Sequence, residues 1–121
     1  MERTRFEDHQ GRRILLLDYS TMTDPDEALA AIRHSMGVVA AQPRNSLLVL
    51  TDVSDSRYNA AVLQGLKELA AHNAPYVKAS AVVGITGLRR IAYQAVIVFS
   101  KRNIKTFDSR AEAVAWLATQ G

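Results

Sequence analysis

The stretch Ser46-Leu47-Leu48-Val49-Leu50-Thr51 runs straight into Asp52-Val53-Ser54-Asp55-Ser56. Its apolar core, Leu47 to Leu50, lacks the in-out alternation of a half-exposed strand, so it reads as a strand covered on both faces, as in a parallel sheet. The five residues that follow are mostly turn-forming and polar. A helix over residues 59–71 comes next, with Asn59 as its cap and Val62, Leu66 and Leu69 on one face. Leu63 and Ala70 lie beside that face. A buried strand, a polar loop at its carboxyl end and a covering helix together make one α/β connection.

The same unit recurs on either side. Upstream, residues 3–8 and 12–19 read as two strands around His9-Gln10-Gly11, where the glycine accepts positive φ. Ile14, Leu15, Leu16 and Leu17 again form an unbroken apolar run. A helix begins near Asp24, which caps it, with Pro25 in the first turn and Glu27 at the capping-box position. Leu29, Ile32, Met36 and Val39 make its apolar stripe, and Pro43 marks its end. Downstream, Pro75 precedes a strand over 77–83, and Gly84-Ile85-Thr86-Gly87 leads into a third helix over 88–100. Residues 95–99 of that segment are apolar all round, so a buried strand is a competing reading there. A short strand over 103–107 and a helix capped by Ser109 with Glu112 close the chain. The expected fold is α/β: a mixed, mostly parallel sheet with an N-terminal β-hairpin, covered by about four helices. The 121 residues fit a single domain over 1–121.

Composition narrows the function. There is no cysteine, which removes disulfides, thiolate nucleophiles and thiolate metal ligands. No secretory signal is evident at the N-terminus, and no run nears the roughly 18 apolar residues of a membrane span. A cytoplasmic location is the expectation. Hydrophobic residues at 48% and charged ones at 22% argue for a packed core and against disorder. The +3 net charge comes from 15 Lys+Arg against 12 Asp+Glu. Arg12-Arg13, Arg89-Arg90 and Lys101-Arg102 are separated pairs, which favours solvated surface over a nucleic-acid face.

Right-handed connections between parallel strands gather the functional loops at the strands' carboxyl ends. Residues 18–23, 52–58, 84–89 and 107–109 should therefore share one rim. Asp52, Ser54, Asp55 and Ser56 are the strand-end loop candidates, and Asp18 and Asp108 belong to the same rim. Capping and turn hydrogen bonds account for these residues as well as chemistry does. No nucleophile with a partnered base is set by spacing, so no catalytic residue is assigned and an enzyme is the less favoured class. His9, His34 and His72 are dispersed and lack metal-binding spacing, so neither metal nor cofactor is expected. Gly84, Thr86, Gly87, Arg89 and Arg90 form the best anion-site candidate: a glycine turn before a helix, with two guanidinium groups. Its glycine spacing fits neither a P-loop nor a dinucleotide fingerprint, and a plain strand-to-helix turn is the favoured alternative. Tyr93, Val96, Ile97 and Phe99 cover more than one face of the third helix. They fit a contact with a second copy or a partner protein, or complete burial within the chain.

Four segments carry a family likeness: residues 47–54, residues 73–84 (Asn-Ala-Pro-Tyr-Val-Lys-Ala-Ser-Ala-Val-Val-Gly), residues 99–103 (Phe-Ser-Lys-Arg-Asn) and residues 107–117. With these the chain resembles the SpoIIAA-like branch of STAS-domain proteins, also called STAS/SEC14-domain proteins. The resemblance implies a small α/β sandwich and a regulatory or partner-binding role. Antagonist members of that family use a phosphorylatable serine near the start of the second helix. Asp52-Val53-Ser54 is similar to the strand-end part of that motif, but the acidic-serine pair expected at the following helix start is missing, and Ala60 and Ala61 there have no hydroxyl to phosphorylate. The resemblance therefore implies no phosphoswitch at those positions, and leaves Ser54 and Ser56 as the nearby hydroxyls. The leading expectation is a noncatalytic, self-associating regulatory or protein-interaction domain. The alternative is a binder of a small anionic or amphipathic ligand.

Overall fold

The computed structural model describes residues 3–57, 59–85 and 104–120. Five strands form one sheet in chain order: β1 (Thr4–His9), β2 (Arg12–Asp18), β3 (Leu47–Asp52), β4 (Val77–Val83) and β5 (Ile104–Phe107). β1 and β2 are an antiparallel hairpin whose turn places Gln10 and Gly11 at φ 52° and 77°. β2 through β5 are parallel, as the unbroken apolar runs require. The helices are α1 (Pro25–Ala40), α2 (Ala60–Asn73) and α3 (Arg110–Ala118), with a short 3-10 turn at Ala74–Tyr76. The expected helix over 88–100 lies outside the described residues, which therefore hold three α-helices rather than about four.

The order of the strands fixes where the helices go. Each parallel strand is added on the same side of its predecessor, so right-handed crossovers put α1 and α2 on one face. α3 follows the last strand and packs on the other face, against β3 and β4. The apolar runs divide between these two layers because successive side chains in a strand point to opposite faces. Leu15, Leu17, Leu47 and Val49 meet Ile32, Val39, Val62 and Leu66 from α1 and α2. Ile14, Leu16, Leu48 and Leu50 meet Ala113 and Leu117 of α3. Each fully buried leucine contributes about 1.5–3 kcal/mol, more than any one cap at about 1 kcal/mol, so these runs dominate the fold.

The caps largely follow the sequence. Asn59 Oδ1 accepts from Val62 N at 2.9 Å, and Ser109 Oγ accepts from Glu112 N at 3.3 Å. Asp24 caps α1 by accepting from Asp26 N, while Glu27 turns outward to Arg3 at 3.6 Å. The buried face of α1 is Ala28, Ile32, Ser35 and Val39, a slight rotation from the expected Leu29, Ile32, Met36 and Val39. Ser35 is the reason. Its hydroxyl bonds Tyr19 Oη at 2.6 Å and Thr4 Oγ1 at 2.8 Å, and donates to Ala31 O at 3.0 Å. A buried hydroxyl satisfied on every side costs little, so a serine takes a core position that an apolar pattern assigns elsewhere. Burial pushes the Tyr19 hydroxyl pKa up, only partly offset by Ser35, and keeps it protonated.

Candidate functional site at the carboxyl edge of the sheet

Parallel register brings the ends of four strands into one row. Asp18 pairs with Asp52, Asp52 with Val83, and Val83 with Phe107. The two aspartates thus stand side by side at the edge where the connecting loops emerge. The loops are tied together by their backbones: Tyr19 N donates to Asp52 O and Thr21 N to Ser54 O, both at 2.8 Å, and Arg57 N to Met22 O at 2.9 Å.

Arg110, the first residue of α3, reaches over this edge. Its Nε donates to Asp52 Oδ2 at 2.5 Å, and its Nη2 lies 3.2 Å from Asp18 Oδ1. Asp52 is buried, and its other oxygen accepts from Ser54 N at 2.8 Å. Asp18 Oδ1 also accepts from the amide and hydroxyl of Ser20, and Arg5 Nη1 lies 3.6 Å from Asp18 Oδ2. Arg3 Nη1 donates to the carbonyls of Asp18 and Ser20, pinning the loop from beneath. Burial raises the Asp18 pKa, but the Ser20 bonds and then Arg110 outweigh it and hold the carboxyl below its ordinary range. Burial likewise pulls on the Arg110 pKa, but Asp52 and then Asp18 raise it on balance, so the guanidinium stays charged. With its pKa lowered, Asp18 is a weak proton acceptor.

The candidates named from sequence separate here. Asp52 is central. Ser54 is half-buried, with its amide and carbonyl both used by the rim. Ser56 is buried, and its hydroxyl donates to Val53 O at 2.7 Å, so it is not presented for modification. Asp55 is exposed at the loop tip with φ 57°, and joins no ion pair among the described residues. Asp108 is exposed, outside the Asp18–Asp52–Arg110 cluster. Gly84 sits at the rim with φ 95°, and a Cβ there would fall 2.4 Å from Ser54 N. Its need for glycine comes from packing against the Asp52–Ser56 loop. Thr86, Gly87, Arg89 and Arg90, and the apolar set Tyr93, Val96, Ile97 and Phe99, lie outside the described residues.

Sequence reasoning missed Arg110, Arg3, Arg5 and Ser20. One signal pointed to Arg110: an arginine in the first turn of a helix opposes the helix dipole, so a specific acidic partner is needed to hold it there. Behind the rim, Tyr19, Met22, Ile32, Val53, Val62 and Leu66 line an apolar cavity of about 20 Å³. That is room for about one water, far below the roughly 300–1,000 Å³ of small-molecule sites. Among the described residues no group of three or more His, Asp or Glu is placed to hold a metal ion. No helix among them is long and apolar enough to cross a membrane.

No protein-family model matches the sequence, and no curated protein matches it. Among solved structures the chain is similar to an uncharacterized protein of the DUF3478 family with a SpoIIAA-like fold, from Shewanella loihica PV-4. The TM-score is 0.71 at 16% identity, over 94% of this chain and 91% of that one. A likeness at that identity concerns architecture, and in architecture this mixed, mostly parallel α/β chain is SpoIIAA-like.

Proposed function

We propose that the chain is a noncatalytic interaction domain of the STAS type, cytoplasmic, acting by contact with a partner protein and with a second copy of itself. The observation that carries this reading is the Asp18–Arg110–Asp52 network. It commits Asp18 and Asp52 to Arg110 and to neighbouring Ser20 and Ser54, with Arg5 also beside Asp18. Such a rim is a pre-ordered surface, which lowers the entropic cost of docking. Asp55 stands exposed at its tip as a contact for a basic group. The SpoIIAA-like architecture supports the same class.

Self-association rests on the sequence of residues 93–99, where Tyr93, Val96, Ile97 and Phe99 supply apolar surface on more than one helical face. Sedimentation velocity over a wide concentration range tests it. The expected result is a mass that rises toward a dimer with concentration, and that Val96→Glu returns to a monomer. A wild-type monomer at every concentration overturns the self-association.

A further inference from the structure

β1 closes one flank of the sheet, and among the described residues no strand pairs with its outer side. The hairpin's hydrogen bonds show what that side offers. Asp18 N donates to Arg3 O at 2.7 Å, one step beyond the pair of Thr4 with Leu17. The tight Gln10-Gly11 turn, closed by the pair of His9 with Arg12, sets the same phase. Bonded and non-bonded pairs alternate along an antiparallel ladder. Arg5, Glu7 and His9 therefore spend their backbone groups on β2, whereas Thr4, Phe6 and Asp8 turn theirs outward. No hydrogen bond among the described residues uses those outward groups. A row of unpaired N–H and C=O groups is a template for one more strand.

The side chains choose that strand. On the face that α3 covers, β1 presents Arg5 and Glu7 in one row, Arg5 opposite Leu16 and Glu7 opposite Ile14. Arg5 Nε and Glu7 Oε2 are 2.9 Å apart, with Asp18 and His9 as their further neighbours. Phe6 lies on the other face, half-buried against the core beneath α1 and α2. A second copy, turned about a two-fold axis at Phe6, lays its own β1 antiparallel along the outer side. Phe6 then meets the copy's Phe6, Thr4 meets the copy's Asp8, and Arg5 meets the copy's Glu7. The outward backbone groups are the ones this pairing bonds. Arg5 and the copy's Glu7 fall at a non-bonded position, where facing side chains come closest. The smallest slip that keeps the outward groups bonded puts Arg5 against Arg5 in one direction and Glu7 against Glu7 in the other. The charges of β1 favour its own copy in one register and oppose the neighbouring ones.

We infer that the outer side of β1 is a pairing surface for β1 of a second copy, which extends the sheet across a two-fold axis at Phe6. The pairing uses none of residues 93–99. One strand of 6 residues buries little surface, so its affinity is weak, at about millimolar, and Val96→Glu stays monomeric in dilute solution. Amide hydrogen exchange of the whole chain, followed by NMR from dilute to millimolar concentration, tests it. The amides of Thr4, Phe6 and Asp8 should slow at least about twofold with concentration, while those of Arg5 and Glu7 stay as they are. The same slowing in Val96→Glu would keep this pairing whether or not residues 93–99 associate. Glu7→Lys and Arg5→Glu should each abolish the effect alone, by setting like charges face to face. An equal mixture of the two variants should restore it, which separates a lost pairing from a lost fold. Amides protected already in dilute solution would assign the outer side to a segment of the same chain. Amides unchanged at millimolar concentration would leave it to another protein. Either result overturns the pairing, as does a mixture that restores nothing.

Discussion

The two edges of the sheet are built from the same parallel strands and treat charge in opposite ways. At the carboxyl edge, Asp18 and Asp52 are brought together by register, and Arg110 lies between them. At the amino edge, Arg12 and Arg13 are consecutive in β2 and point to opposite faces, Arg12 Nη2 donating to Gln120 O and Arg13 lying over the Phe6 ring. One edge has spent its charge on holding loops in place. The other divides its cations between the two faces of the sheet, against a carbonyl and an aromatic ring. Residues that look alike in composition, charged and near strand ends, therefore have different work to do. Substitutions at the first edge should cost more stability than those at the second.

The largest expected effect lies at the carboxyl edge. Gly84→Ala forces a side chain into positive φ and drives a Cβ onto the Ser54 backbone. It should destabilise by about 3 kcal/mol in urea unfolding. A loss below about 1 kcal/mol would mean that the two loops are not locked together. Next is Arg110→Met, which leaves Asp52, with a side chain only 6% exposed, without its cation. The expected loss is about 2 kcal/mol, held down because Arg110 is itself partly exposed. Adding Asp52→Asn to Arg110→Met should recover part of that loss, since the stranded charge is then gone; strictly additive losses would contradict the pairing.

Asp18 gives a smaller effect with a defined pH window. Its folded pKa is depressed, so the stability it contributes is fully present above the unfolded value of about 3.9. That contribution is lost as pH falls through the lower folded value. Asp18→Asn should cost about 1 kcal/mol at neutral pH and flatten stability against pH in that acid window. An unchanged slope would remove Asp18 from the network. The smallest effect belongs to the amino edge: Lys78→Gln should change unfolding stability by no more than about 0.5 kcal/mol. A larger loss would mean that Lys78 holds the fold together after all, and the contrast between the edges would fail.

Much of the architecture was legible in the sequence because it rests on local rules. β4 runs over Val77–Val83 as read, and the other four strands end within a residue of their expected positions. Unbroken runs such as Ile14–Leu17 and Leu47–Leu50 announce burial on both faces without any knowledge of partners. The face of α1 was read slightly out of phase because Ser35 is buried by hydroxyl partners from β2's end and from β1, which an apolar count does not weigh. The rim was legible as a place and not as a network. Asp18 and Asp52 could be put on one edge by topology, whereas Arg110, 58 residues beyond Asp52, reaches them only after α3 folds back over the sheet.

The contrast between the edges can be read in one measurement, urea unfolding of Arg110→Met beside Lys78→Gln at neutral pH. The expected result is a loss of about 2 kcal/mol in the first and no more than about 0.5 kcal/mol in the second. Equal losses in the two variants would contradict it.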